Sequence, residues 1–133
     1  MAGSEQENLF NLIIKEITEQ FQPIMDRSPF GVYFYLDDIH KVCNEKFASM
    51  FGVTPREFAE MPMFLQVFIS EKDQATFARN YHHNVVEHAH PVTFRFTARR
   101  KDGSTFEAET DMIPLYWRGY PIAYHFLHEV NGS

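Results

Sequence analysis

The sequence predicts an α+β fold: a five-stranded antiparallel sheet with helices on one face, preceded by an amphipathic N-terminal helix. Three observations carry that expectation. Apolar residues near the start recur at helical spacing, the stretch from Gly31 to Cys43 and the C-terminal third are rich in β-formers, and the middle reads as short helices and one longer one. Two strands at the start and three at the end make a single antiparallel sheet, with the intervening helices closing over it. At 133 residues the chain has the length of one domain, and a hydrophobic content of 44% is enough to build a core.

In order along the chain, Glu7 to Ile24 is predicted as the first helix, with Phe10, Ile13, Ile14, Ile17 and Phe21 on one face and Pro23 ending it. Leu9 and Leu12 widen its stripe, so it needs a partner surface, either the domain's own sheet or a second copy. Gly31 to Leu36 and Lys41 to Cys43 are the opening strands, turned by Asp37-Asp38. Asn44 is placed to cap a helix carrying Phe47, Met50 and Phe51, which Gly52 stops. Thr54-Pro55-Arg56-Glu57 has the form of a capping box with proline in the first turn, opening a helix that ends near Met61-Pro62. Met63 to Phe68 is a helical turn packed inward, and Asp73 to His88 is the longer helix. The last strands are Val92 to Arg99, Thr105 to Leu115 and Tyr120 to Val130, joined by turns at Lys101-Asp102-Gly103-Ser104 and Trp117-Arg118-Gly119.

Charge and composition exclude several classes of function. With 12 basic against 18 acidic residues the net charge is −6, which speaks against a nucleic-acid or anionic-lipid partner. Cys43 is the sole cysteine, so no internal disulfide forms. No apolar run approaches the roughly 20 residues of a membrane span, and Met1 to Asn8 lacks the order of a signal peptide, which together lead to the expectation of a cytoplasmic domain. The 14 phenylalanines among 133 residues must either fill a bulky core or line an apolar cavity.

Several runs together resemble the PAS domain family. Ser28-Pro29-Phe30-Gly31-Val32 is similar to the opening of such domains. Asn44-Glu45-Lys46-Phe47 with Met50-Phe51-Gly52-Val53-Thr54-Pro55 and Glu57-Phe58 resembles their asparagine-led helix and the turn after it, and Arg99-Arg100-Lys101-Asp102-Gly103-Ser104 their hairpin between third and fourth strands. The likeness spans Pro29 to Val130. It implies a sensory or signal-relay module of residues 27–130, flanked by a helix in residues 1–26 and a tail in 131–133. It also implies a central cavity between the sheet and the helices at Met63–Phe68 and Asp73–His88.

At about 100° per residue, Phe77, Tyr81, Asn84, Val85 and His88 share the inward arc of the longer helix. The expected ligand-facing set adds Phe64, Leu65 and Phe68 from the preceding turn, and Phe94, Phe96, Phe106 and Met112 from the sheet. Complete interdigitation of these side chains gives a solid core that docks partners. A void gives a pocket for a small apolar ligand, anchored by Tyr81, Asn84 and His88.

The chemistry of individual residues leaves few cofactors. The flavin-binding members of the family carry a reactive cysteine on a short central helix, whereas Cys43 falls on the second strand, so covalent flavin chemistry is not expected. The first alternative is a b-type haem sensor of gas or redox state, with His88 as axial ligand. The second is a small cone-fold isomerase or dehydratase using Tyr81 and His88. The spacing of His82, His83, His88 and His90 does not suit a metal site on a helix, and no nucleophile motif or phosphate loop occurs, so the main reading is not an enzyme. Glu107, Glu109 and Asp111 alternate on one strand, where Arg95 and Arg99 can meet them.

The resemblance implies a histidine kinase or other output domain as signalling partner, as in two-component systems. The apolar stripe of the first helix, with an outer sheet face expected to offer Tyr33, Tyr35, Ile113, Leu115, Ala123 and Leu127, predicts a homodimer.

Overall fold

The computed structural model describes residues 2–87 and 90–130. In chain order they form α1 (Ala2–Arg27), β1 (Gly31–Asp37), β2 (His40–Cys43), α2 (Glu45–Phe51), α3 (Pro55–Glu60), α4 (Phe64–Phe68), α5 (Glu71–Asn80), a π-helical segment Tyr81–Glu87, and then β3 (Val92–Arg99), β4 (Thr105–Trp117) and β5 (Tyr120–Glu129). The strands make one sheet in the order β2-β1-β5-β4-β3, every neighbouring pair antiparallel. The expected α+β architecture is the observed one.

Each face of the sheet carries its own core. On the inner face Tyr33, Ala108, Met112, Ala123 and Leu127 meet Phe47, Phe51, Phe58, Phe64, Phe68, Phe77 and Val85 from α2 to the π-helical segment. On the outer face Val32, Phe34, Leu36 and Ile122 are covered by Phe10, Ile13, Ile17 and Met25 of α1. Of the two partners open to the first helix, its stripe takes the chain's own sheet.

The face assignment of two strands is corrected. Tyr33 and Tyr35 of β1 and Ala123 and Leu127 of β5, expected outside, point to the inner side, while Ile113 and Leu115 lie on the outer side as expected. Val32-Tyr33-Phe34-Tyr35-Leu36 is apolar or aromatic at every position, so the strand's own pattern carries no phase, and a one-residue slip exchanges the faces.

Helix α1 is also longer than expected. It runs through Pro23 to Arg27, although proline deprives the Glu19 carbonyl of its usual donor. Two contacts hold its final turn. Ser28 N–H donates to the Ile24 carbonyl at 2.9 Å, and the Asn44 side-chain amide donates to the Met25 carbonyl at 3.0 Å. Further back, Glu16 accepts from Arg118 at two oxygens, 2.7 Å each, and from Trp117 Nε1 at 3.0 Å, which ties α1 to the β4–β5 turn. The Arg118 guanidinium and then the Trp117 indole hold the Glu16 carboxyl down at about 2.

The longer internal helix changes character partway. The expected Asp73–His88 helix is α-helical to Asn80 and then winds as a π-helix to Glu87. A π-helix bonds i to i+5 and turns less per residue, so an arc extrapolated at α-helical spacing goes wrong beyond Tyr81. His82 Nε2 lies 3.0 Å from Glu87 Oε1, a pairing at the i,i+5 spacing.

Asn44 is buried and uses both ends of its amide. Its oxygen accepts from Phe47 N–H at 2.9 Å, capping α2, and from Val32 N–H at 3.0 Å. Its nitrogen donates to the carbonyls of Met25 and Phe30. One side chain thus joins α1, the linker, β1 and α2. Beside it Gly31 is required by close approach, because a Cβ there would stand 3.0 Å from Phe47 Cα. Asn44→Ala removes a helix cap and strands buried backbone donors, with an expected loss of about 2–3 kcal/mol in denaturant melts and faster amide exchange at the end of α1. A loss below about 0.5 kcal/mol, the scale of an ordinary surface substitution, would contradict this role.

Candidate ligand cavity

Large rings packed from both sides leave a partly open gap between the sheet and the helices α4 and α5. It has a volume of about 110 Å³ and is lined by Tyr33 and Tyr35 of β1, Phe64 and Leu65 of α4, Phe77 and Ala78 of α5, Tyr81 at the α-to-π junction, and His125 of β5. The roof is held in place by polar contacts at its edge. Lys41 Nζ donates to the carbonyls of Asp38 and Met61, and Asp38 accepts from Met63 N–H, so the β1–β2 turn anchors the start of α4. Met63 stands there at φ 57°, a left-handed conformation that turns Phe64 and Leu65 down toward the sheet.

Among the described residues, His125 is the one imidazole on this cavity. Its ring is 1% exposed and stacks on Tyr33 with centroids 3.8 Å apart and planes within 4°. Phe77 lies nearly parallel at 6.2 Å. Neither ring nitrogen has a hydrogen-bond partner, which is rare for a buried polar group. Burial pushes the imidazole down to about 3; the backbone at Tyr33 and Ala123 opposes the shift without reaching hydrogen-bonding geometry with either nitrogen. The ring is therefore neutral at ordinary pH. Burial likewise raises the phenols of Tyr33, Tyr35 and Tyr81, which remain protonated.

Of the residues expected to face a ligand, Phe64, Leu65, Phe77 and Tyr81 line the cavity. Phe68, Val85, Phe96, Phe106 and Met112 are buried in the core around it, and Phe94 is half-buried against Phe77 with ring centroids 5.2 Å apart. Asn84 is absent from the lining; it is half-buried on the π-helical segment, where the altered winding takes it off the arc, and its carbonyl accepts from His90 N–H at 2.7 Å. His88 lies outside the described residues. Tyr33, Tyr35, Ala78 and His125 were missed. A signal for His125 existed: the two-residue turn Arg118-Gly119 sets Met112 opposite His125, and cross-strand partners share a face.

The other chemistry resolves along the same lines. Cys43 is buried and its thiol is pushed up to about 12, so it offers no thiolate for adduct formation. A cavity of about 110 Å³ is far too small for a haem. Among the described residues no group of three or more His, Cys, Asp or Glu converges on a metal position, and no helix is long and apolar enough to cross a membrane. On the outer sheet face Arg95 pairs with Glu109 at 3.5 Å, whereas Glu107 and Asp111 accept from Thr97 and Thr93, and Arg99 turns away to the Ile69 carbonyl.

A depressed histidine gives stability a definite pH dependence. The folded value lies below the ordinary 6.5, so the unfolded chain binds more protons between pH 6.5 and 3 and stability falls as pH falls through that window. The slope is about 1.4 kcal/mol per pH unit, or about 2 kcal/mol between pH 7 and 5. Denaturant melts of the wild type and His125→Phe at both values check this: the wild type should lose about 2 kcal/mol more than the variant. Equal losses would contradict a buried neutral His125.

Comparison with known proteins supplies the remaining findings. A family model described as PAS domain matches residues 30–131. No curated protein matches the chain. Among solved structures, a PAS domain from a two-component sensor histidine kinase is 17% identical, with TM-score 0.66, covering 87% of this chain and 99% of that one. A PAS domain of a LuxR-family transcriptional regulator from Burkholderia thailandensis, in complex with ethanol, is 12% identical with TM-score 0.66, covering 83% and 96%. The PAS-B domain of Drosophila melanogaster Cycle, with bound ethylene glycol, is 13% identical with TM-score 0.63, covering 75% and 99%. At these identities the likeness speaks for the fold alone.

Proposed function

The chain belongs to the PAS domain family, and we propose that it is a small-molecule sensor whose cavity between sheet and helices takes a compact, mostly apolar ligand. The observation that carries this reading is the cavity itself: about 110 Å³ walled mainly by aromatic side chains and left unfilled by them. An engineered apolar cavity of about 150 Å³ accepts benzene, which sets the scale of the ligand. The ethanol and ethylene glycol named for two structural neighbours are compact molecules of the same order. Such a ligand is held by shape and apolar contact, with few polar groups fixing its orientation.

Ligand occupancy would reach the rest of the protein through β1. Tyr33 and Tyr35 wall the cavity, while Val32, Phe34 and Leu36, their neighbours in sequence, pack under α1. A shift of the tyrosines therefore moves the strand on which α1 rests, and α1 is the element that would pass the change to an output domain such as a histidine kinase. A homodimer built on α1 draws less support, since Phe10, Ile13 and Ile17 are buried against the chain's own sheet and leave Leu12 and Ile24 as exposed apolar residues of that helix.

Filling the cavity tests the reading. Benzene should bind the wild type saturably, with amide shifts centred on Leu65, Ala78 and Tyr33. Ala78→Leu should abolish that binding while keeping or raising the melting temperature, because the new side chain enters existing space. Absence of saturable binding, or binding indifferent to Ala78→Leu, would overturn it.

A further inference from the structure

We propose that the ligand carries its one polar group at the end facing the mouth of the cavity. That group is an uncharged acceptor, such as a carbonyl oxygen, which meets the phenols of Tyr35 and Tyr81 with an apolar body behind it. Acetophenone is a simple member of the class. The class rests on the cavity being a binding site, and adds which end of the ligand points outward and what that end is.

The walls divide into a floor and a rim. Tyr33, Phe64, Phe77 and His125 are each 4% exposed or less and close the inner end. Both His125 nitrogens are sealed within the core, so a polar group carried to the floor loses its water and gains no hydrogen bond from the imidazole. Tyr35, Leu65 and Tyr81 are half-buried and Ala78 is exposed, which puts the opening between α4 and α5, beside Tyr35 of β1. Ala78 brings only a methyl group to this rim.

The polar groups of the rim are two phenols. Tyr35 and Tyr81 meet edge to face with ring centroids 5.2 Å apart. Burial raises both phenols, so each keeps its proton, and neither forms a hydrogen bond among the described residues. A protonated phenol is a donor in want of an acceptor. A ligand whose ring fills the interior can place a carbonyl oxygen at this donor and still keep that end within reach of water.

Negative charge is opposed at the same place. After burial, the Asp38 carboxylate, the Tyr81 phenol and the Asp37 carboxylate raise the Tyr35 phenol, and Asp37 also raises Tyr81. Asp38 is fixed there by accepting from Met63 N–H, and Asp37 Oδ1 lies 2.7 Å from His40 Nδ1. A field that opposes a phenolate at the rim opposes a ligand carboxylate as well.

Acetophenone, ethylbenzene and benzoate separate the possibilities when titrated into the full chain and followed by NMR. Acetophenone should bind about fivefold tighter than ethylbenzene, the worth of one hydrogen bond, with no detectable benzoate binding. In the double variant Tyr35→Phe, Tyr81→Phe that advantage should vanish while ethylbenzene still binds. Should the variant fail to fold, the Cζ resonances of Tyr35 and Tyr81 in the wild type give the same answer: acetophenone should move at least one of them further than ethylbenzene does. Equal affinity for acetophenone and ethylbenzene, or an advantage that survives in the double variant, overturns the polar end at the phenols and leaves the cavity reading standing. Saturable binding of benzoate overturns the exclusion of negative charge. Failure of both acetophenone and ethylbenzene to bind overturns the sensor reading on which the class rests.

Discussion

Strand β1 is hydrophobic on both faces, and a strand of that kind stays out of water only if two separate layers cover it. Tyr33 and Tyr35 face the helices α2 to α5, and Val32, Phe34 and Leu36 face α1. The rest of the arrangement follows. Helix α1 must lie along the outer face of the sheet, the linker after Arg27 must carry the chain round its end, and α2 must start close beneath β1. Asn44 sits where these demands meet, with four hydrogen bonds to four different segments. Gly31 lets α2 approach as closely as that junction needs.

The same economy explains why a cavity persists in so aromatic a core. Rings are rigid and pack at fixed angles, so the tilted and edge-on contacts among Tyr33, Phe47, Phe58 and Phe64 complete a cluster on one side without filling the space beneath α5. Helix α4 could close that space only by dropping toward the sheet, and its start is held by Lys41 and Asp38. A buried imidazole without a partner is costly to keep. That ring forms part of the wall of the gap between the sheet and the helices.

Much of the fold was legible because its local signals are strong and independent. Thr54 and Glu57 form the capping box that their spacing announces, Asp102-Gly103 turns the β3–β4 hairpin, and the alternation of β3 places Phe96 and Ala98 inside. What escaped was phase. An all-apolar β1 gives no inward or outward preference, and a π-helical segment after Asn80 has no distinct mark in the sequence, so Asn84 was carried to the wrong side. Histidines were weighed by their clustering between His82 and His90, whereas the one that lines the cavity lies in β5, apart from that cluster. Its position follows from the Arg118-Gly119 turn and the inward Met112, a relation between strands rather than a property of either.

The claim that the sheet requires α1 as its second layer is tested most directly by removing residues 1–26 and following mass by light scattering and stability by thermal melting. Loss of Phe10, Ile13, Ile17 and Met25 uncovers Val32, Phe34, Leu36 and Ile122. An exposed apolar face of this kind drives self-association. The truncated protein is predicted to associate or to melt well below the full chain. A monomer with an unchanged melting temperature would contradict the account.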